Sequence, residues 1–92
     1  MVRRTLDYEE ERKVLARKFA VLRRSASGVP STLDWIARKE LIVAHCIEKR
    51  LPKKVIQSIH SEMRVWIRDG VFHSGPKKDL LAELAAIDEK RV

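Results

Sequence analysis

The residues of this chain best suited to chemistry are cations and hydrogen-bonding side chains that recur at helical spacing between Leu51 and Gly70. Apolar residues in this segment are three or four positions apart, which is the period of an α-helix, and a polar stripe follows the opposite side. The polar stripe consists of Lys54, Gln57, Ser61, Arg64 and Arg68. It contains three cations and no carboxylate, so we expect it to contact an anionic partner, and nucleic acid is the partner that it favours.

A second group of cations surrounds the helix break at Pro52. Its members are Lys49, Arg50, Lys53 and Lys54. The amides of a first helical turn carry partial positive charge, so each lysine there is unfavourable by about 0.3 to 1 kcal/mol at low salt. A bound phosphate would offset this repulsion, although Glu48 nearby gives a purely structural alternative. We predict that these four residues and the polar stripe form one nucleic-acid-binding site.

Other chemistries find little support in the sequence. The only soft metal ligands are His45, Cys46, His60 and His73, and no two of them share a helix face at ligand spacing. Cys46 lies among apolar residues, where an inert packed thiol is the usual role. The chain has no glycine-rich phosphate loop and no paired-carboxylate pattern. We therefore expect a protein that is not an enzyme and that has no catalytic residue, metal site or cofactor.

Length, charge and cysteine content restrict the class of protein further. The 92 residues fit a single domain, and 20 Lys and Arg against 13 Asp and Glu give a net charge of +7. The lone Cys46 excludes an intramolecular disulfide and indicates a reducing compartment. Because no apolar run reaches 18 residues and the start lacks a secretory signal, we expect a cytoplasmic or nuclear protein. A membrane-surface role is disfavoured, since the apolar face with Trp66 is needed for the core.

Apolar periodicity and capping residues predict an all-α fold of four helices, at about residues 7–25, 32–50, 52–69 and 76–90. Asp7 is the expected cap of the first helix and Ser31 of the second, and Pro52 is expected at the first position of the third. An alternative for residues 65–74 is a β-hairpin with its turn at Asp69 and Gly70. Gly28 is expected to be left-handed near a helix end.

The sequence also suggests how the four helices are arranged. The second helix is the most apolar, so we expect it to be central. The cations of the first helix are expected to form a solvated face, and residues 1–6, with Arg3 and Arg4, a flexible basic arm. The fourth helix has an apolar stripe and three alanines on other sides, which indicates a homodimer formed through residues 76–90. This stripe consists of Leu80, Leu84 and Ile87.

A helix, a tight turn and a basic helix in this order resemble a partial helix-turn-helix, in which the second helix enters the major groove of DNA. Leu51 and Cys46 fit the generic pattern, whereas Arg50 stands where a turn glycine is usual. The leading hypothesis is a small DNA-binding protein, a transcriptional regulator or an accessory factor, with duplex DNA favoured over RNA. An RNA-binding protein and a helical adaptor for an acidic protein partner are the alternatives.

Overall fold

Four α-helices follow one another in the computed structural model, which describes residues 7–69 and 77–90 of the chain. They are α1 (Tyr8–Ser25), α2 (Pro30–Glu48), α3 (Lys53–Arg68) and α4 (Lys77–Glu89). The all-α class is therefore confirmed. The predicted basic arm at residues 1–6 and the predicted start of the fourth helix at Pro76 lie outside the described residues.

The helix starts confirm one predicted cap and correct two other expectations. The Asp7 carboxylate accepts the backbone N–H of Glu10 at 3.1 Å, as predicted for the start of α1. Ser31 is not the cap of α2, because that helix already begins at Pro30, whose fixed φ suits the first helical position. Pro52 is the N-cap of α3 rather than its first residue. Neither Val29 nor Pro52 caps its helix through a side-chain hydrogen bond.

The segment for which a hairpin was considered is helical where the structure describes it. Val65 to Arg68 form the last turn of α3, and the amide of Asp69 still donates to the carbonyl of Val65 at 2.8 Å. The first strand of the hairpin is therefore absent, while its turn and second strand fall at residues outside the description. Gly28 has φ +88°, which confirms the predicted left-handed position after α1.

The four helices pack as a ring, in which each helix contacts its two neighbours in the order α1, α2, α3, α4. The first helix, not the second, contributes most to the interior, and α1 packs most extensively against α4 and α2. Only Ile36, Val43 and Ile47 of α2 are buried, whereas Leu41 and Ile42 remain exposed. The prediction that α2 contacts both the first and the third helix is confirmed. The helix is not the main contributor to the core, however, because four of its ten apolar residues are exposed.

The helices α2 and α3 lie side by side as an antiparallel pair. The rings of Trp35 and Trp66 meet edge to face with their centroids 4.9 Å apart. Each tryptophan is 13 residues from the turn, or about 20 Å along its helix. A helix-turn-helix crosses at about 90 to 120°, which would separate two such points widely. The predicted helix-turn-helix-like arrangement is therefore not confirmed.

The fourth helix closes the core of the single chain. Leu80 and Leu84 are buried, and Ile87 packs against the same core from a half-buried position. The stripe on which we based dimerisation through α4 is thus used inside the fold, and the exposed apolar residues among 79–89 are Ala82, Ala85 and Ala86. The homodimer itself stays a prediction, but α4 does not offer this apolar stripe to a partner.

Candidate nucleic-acid interface

The third helix separates an apolar face from a polar one, as its sequence predicts. Its buried residues are Ile56, Ile59, Met63 and Ile67. All eight predicted site residues are exposed, namely Lys49, Arg50, Lys53, Lys54, Gln57, Ser61, Arg64 and Arg68. We refer to these eight residues as the cationic face. One sequence group lies at the end of α2 and in the turn, where Arg50 lines a depression beside α1, and the other lies along α3, where Gln57, Ser61 and Arg64 line a depression beside α4.

The turn into α3 is built by a Schellman motif at the end of α2. The amide of Leu51 donates to the carbonyl of Cys46 at 3.2 Å, and the amide of Arg50 donates to the carbonyl of Ile47 at 3.0 Å. Arg50 occupies the left-handed position of this motif with φ +52°, and no other non-glycine residue of the described chain has a positive φ. A side chain in this conformation costs about 1 to 2 kcal/mol relative to glycine. Arg50 thus takes the conformation of the missing turn glycine and adds a charge.

Tyr8, at the start of α1, holds this turn in place. Its hydroxyl lies 2.6 Å from the carbonyl oxygen of Leu51 and 3.1 Å from that of Arg50, and donates toward both. The guanidinium carbon of Arg50 lies 5.2 Å from the centre of the Tyr8 ring, within the range of a cation–π contact. The strained turn is therefore fixed by a residue 42 positions earlier in the chain, and the Arg50 side chain is directed by the same ring.

The cations of the protein divide into paired and unpaired groups. Four exposed arginines form ion pairs with carboxylates, as Arg12–Glu9, Arg23–Glu40, Arg24–Glu83 and Arg38–Asp34. By contrast, Lys49, Lys53 and Lys54 form no ion pair with any residue in the described ranges. Arg64 donates to the Ser61 hydroxyl at 3.3 Å, within the cationic face itself. The positive charges of Lys49, Lys53, Lys54 and Arg64 are thus available to an external anion.

Lys13, Arg17 and Lys90 form the other group of exposed cations without an ion pair among residues 7–69 and 77–90. They line a depression between α1 and α4 together with the carboxylates of Asp7, Glu9 and Glu10. Because these carboxylates offset the positive charge locally, this second group is a poor site for a polyanion. It provides a matched set of cations against which the cationic face can be tested.

Four polar side chains form a partly buried network beside the cationic face, which the sequence analysis did not predict. Lys18 is only 2% exposed, and its ammonium group lies 2.8 Å from Nδ1 of His60 and 2.9 Å from the carboxylate of Asp88. Nε2 of His60 lies 2.8 Å from the carboxylate of Glu11, which is also buried. Because an ammonium group can only donate, His60 accepts at Nδ1 and donates from Nε2 to Glu11.

This polar network links α1, α3 and α4 and reaches the surface next to the cationic face. An open depression between α3 and α4 is lined by Gln57, His60, Ser61, Arg64 and Asp88. The Asp88 carboxylate is the acidic group at this edge, and its contact with the Lys18 ammonium offsets its charge. The network therefore fixes the position of α3, and the Lys18 ammonium offsets one of its two carboxylates.

The expectation that the cations of α1 are all solvated is wrong for Lys18, and one sequence signal could have shown this. Glu11, Leu15, Lys18 and Leu22 follow one another at spacings of four, three and four, so both charged residues fall on the apolar side of α1. A buried charge needs a partner. His60 and Asp88, which supply it, are 42 and 70 residues away, and no local pattern identifies them.

The structure adds little for the other chemistries considered. Within residues 7–69 and 77–90, no three His, Cys, Asp or Glu side chains are grouped as a metal site. Cys46 is a half-buried free thiol packed against the core. None of the helices in the described part of the chain is long and apolar enough to cross a bilayer. Comparison with protein-family models, with curated proteins and with solved structures finds no match for this chain.

Proposed function

We propose that this chain is a small DNA-binding protein, a transcriptional regulator or an accessory factor, that contacts phosphates through the cationic face. The observation that supports the proposal is that some exposed cations of the chain form ion pairs and others do not. Arg12, Arg23, Arg24 and Arg38 are paired with carboxylates of the same chain, and the unpaired Arg17 lies in a depression lined by carboxylates. The lysines around the α2–α3 turn have no ion-pair partner among the described residues. An anion bound at this turn would not have to displace an existing ion pair.

The dimensions of the face suit a nucleic-acid backbone. The 16 residues of α3 extend for about 24 Å, and one DNA strand carries a phosphate about every 3.4 Å of helix axis. Cations at the turn and one along α3 can therefore meet several phosphates at once. Gln57 and Ser61, midway along the same row, are side chains of the type that contact base edges or phosphates.

Duplex DNA fits the face better than a single strand or a protein partner does. Proteins that bind single strands stack bases on exposed aromatic rings, but here Trp35 and Trp66 pack edge to face against each other and the Tyr8 hydroxyl bonds to the turn. A protein interface usually has an apolar centre, whereas the exposed large apolar residues of α3 are two valines, Val55 and Val65, among the cations and polar side chains of the cationic face. An RNA-binding protein and an adaptor for an acidic protein are therefore the alternatives that the experiment must distinguish.

A mobility-shift titration tests the proposal with four probes, which are random 30-base-pair DNA, single-stranded DNA, duplex RNA and polyglutamate. If Lys49, Arg50, Lys53, Lys54 and Arg64 each neutralise one phosphate, the slope of log K against log salt is about −4.5 on DNA. Affinity for duplex DNA then falls several hundred-fold between about 50 and 200 mM salt. Tighter binding to RNA or to polyglutamate would support the corresponding alternative, and no binding to duplex DNA at 50 mM salt would refute the proposal.

A further inference from the structure

The outer surface of α2 leaves large apolar side chains in water. Leu41 is 72% exposed and Ile42 is 57% exposed, the largest values among the exposed large hydrophobic residues of the described chain. Leu41 lies one helical turn before Ala44, which is also exposed and borders a groove between α1 and α2. A protruding leucine and an apolar groove are therefore neighbours on one face of the molecule.

The groove between α1 and α2 is mostly apolar, and its two charged lining residues are Arg12 and Glu40. Its apolar lining consists of Leu15, Ala16, Phe19, Val43, Ala44 and Ile47. The groove has a volume of about 110 Å³. A volume of about 10 to 15 Å³ is enough for one water molecule. The groove therefore has room for an aliphatic side chain, and its small alanines leave its mouth open.

Charges around this groove are balanced within the chain. The ion pairs Arg12–Glu9, Arg23–Glu40 and Arg38–Asp34 all involve residues of α1 or α2. Although the chain carries a net charge of +7, this face has little net charge to repel a second copy or to attract a polyanion. Its chemistry thus differs from that of the part of the cationic face that lies along α3 on the side of α4.

We propose that a second copy of this chain docks on the α1–α2 face and that Leu41 of each protomer enters the groove of the other. A leucine beside its own groove permits this reciprocal exchange about a two-fold axis, the commonest symmetry of homo-oligomers. The face measures about 27 Å by 20 Å from the lengths and spacing of two helices, which corresponds to the smaller specific interfaces. The dimer is therefore expected to dissociate in the micromolar range.

This arrangement moves the dimer interface from α4 to α2. In the ring of helices, the groove between α1 and α2 is opposite the depression between α3 and α4, so the α3 part of both cationic faces stays accessible to an external ligand. Arg50, by contrast, lines a depression that shares Arg12, Ala44 and Ile47 with the groove. The proposal does not depend on what these faces bind, and its test needs no nucleic acid.

Sedimentation velocity of the full chain between about 5 and 500 µM tests the dimer, with circular dichroism as the check on folding. Leu41→Ser removes the protruding side chain, and Ala44→Leu fills the groove from its own helix. Each is expected to weaken dimerisation about 100-fold, since either change acts twice per dimer. Ile42→Ser is the matched control, because it removes a neighbouring exposed aliphatic residue that does not line the groove.

The wild type and Ile42→Ser are expected to dimerise at concentrations where Leu41→Ser and Ala44→Leu remain monomeric. A wild type that is monomeric at 500 µM would overturn the proposal. A dimer that persists in both groove variants would place the interface elsewhere, and equal weakening by Ile42→Ser would show that the groove has no special role. Either of these two results would also refute the reciprocal exchange of Leu41.

Discussion

Replacing Arg50 by glycine separates the conformation of the α2–α3 turn from the charge that the turn carries. Arg50 has φ +52°, and glycine at this position relieves about 1 to 2 kcal/mol of strain. Glycine also loses more backbone entropy on folding, by about 0.5 to 1 kcal/mol. Removal of the cation–π contact with Tyr8 costs about 0.5 to 1 kcal/mol more at this exposed site. The free energy of unfolding of Arg50→Gly should therefore differ from that of the wild type by less than about 1 kcal/mol.

Arg50→Ala provides the stability comparison, because alanine loses the same side-chain contact but keeps the unfavourable φ. It should be less stable than Arg50→Gly by about 1 kcal/mol, which is about 4 to 8 °C in Tm for a domain of this size. Urea denaturation and thermal melts of the two variants measure this difference. If alanine were as stable as glycine, the left-handed conformation of residue 50 would be refuted.

The same variants report on binding. If Arg50 contacts a phosphate, Arg50→Gly should reduce the magnitude of the salt slope on duplex DNA by about 0.9, whereas Arg50→Lys should keep the slope of the wild type. Arg50→Gly would then be as stable as the wild type but a weaker binder, which a residue serving only the turn cannot explain. An unchanged slope in Arg50→Gly would show that Arg50 takes no part in the cationic face.

Three further predictions concern the residues that support the face. Tyr8→Phe keeps the ring but loses the hydroxyl bonds to the turn, so it should lower the free energy of unfolding by about 1 kcal/mol, as urea denaturation will show. Lys18→Met leaves buried acceptors without their donor and should lower the free energy of unfolding by about 2 to 3 kcal/mol. Glu11→Gln still accepts a hydrogen bond from His60 and should lower it distinctly less. Equal losses of stability in the two variants would contradict the assigned donors and acceptors. Alanine at both Arg23 and Arg24 breaks two exposed ion pairs, so it should cost at most about 1 kcal/mol in stability and little DNA affinity; a loss of affinity like that of cationic-face variants would indicate diffuse charge.

The parts of the fold that depend on nearby residues could be predicted from the sequence. Asp7 caps α1 through an amide three residues away, and the apolar period of α3 gives its buried and exposed faces directly. The exposure of Lys53, Lys54 and Arg64 was therefore correctly expected. The start of α2 was misplaced because Ser31 and Pro30 are both good start signals, and the backbone favours proline at the first helical position.

Features that join distant parts of the chain could not be predicted in the same way. The hydroxyl of Tyr8 donates to carbonyl groups that are 42 and 43 residues later in the chain. From the sequence alone, Tyr8 is one of the residues of the apolar stripe of α1. His60 gave no sign that it accepts a hydrogen bond from α1 and donates one back to it. The high apolar content of α2 indicated a central helix. Composition, however, does not show which side of a helix has a neighbour.

Two triple variants test most directly whether the cationic face binds nucleic acid. Lys53, Lys54 and Arg64 belong to the face, whereas Lys13, Arg17 and Lys90 are exposed and lie outside it. Alanine at either set removes three positive charges and breaks no ion pair among the described residues. Both proteins should therefore fold, and their net charges are equal.

The decisive measurement is the slope of log K against log salt on duplex DNA for the wild type and the two triple variants. We expect the cationic-face variant to lose about 2 to 3 from the magnitude of the slope, at about 0.9 per phosphate contact. The matched variant should lose much less, because its cations lie among carboxylates. Equal losses in the two variants would contradict a localised nucleic-acid interface on α3 and the preceding turn.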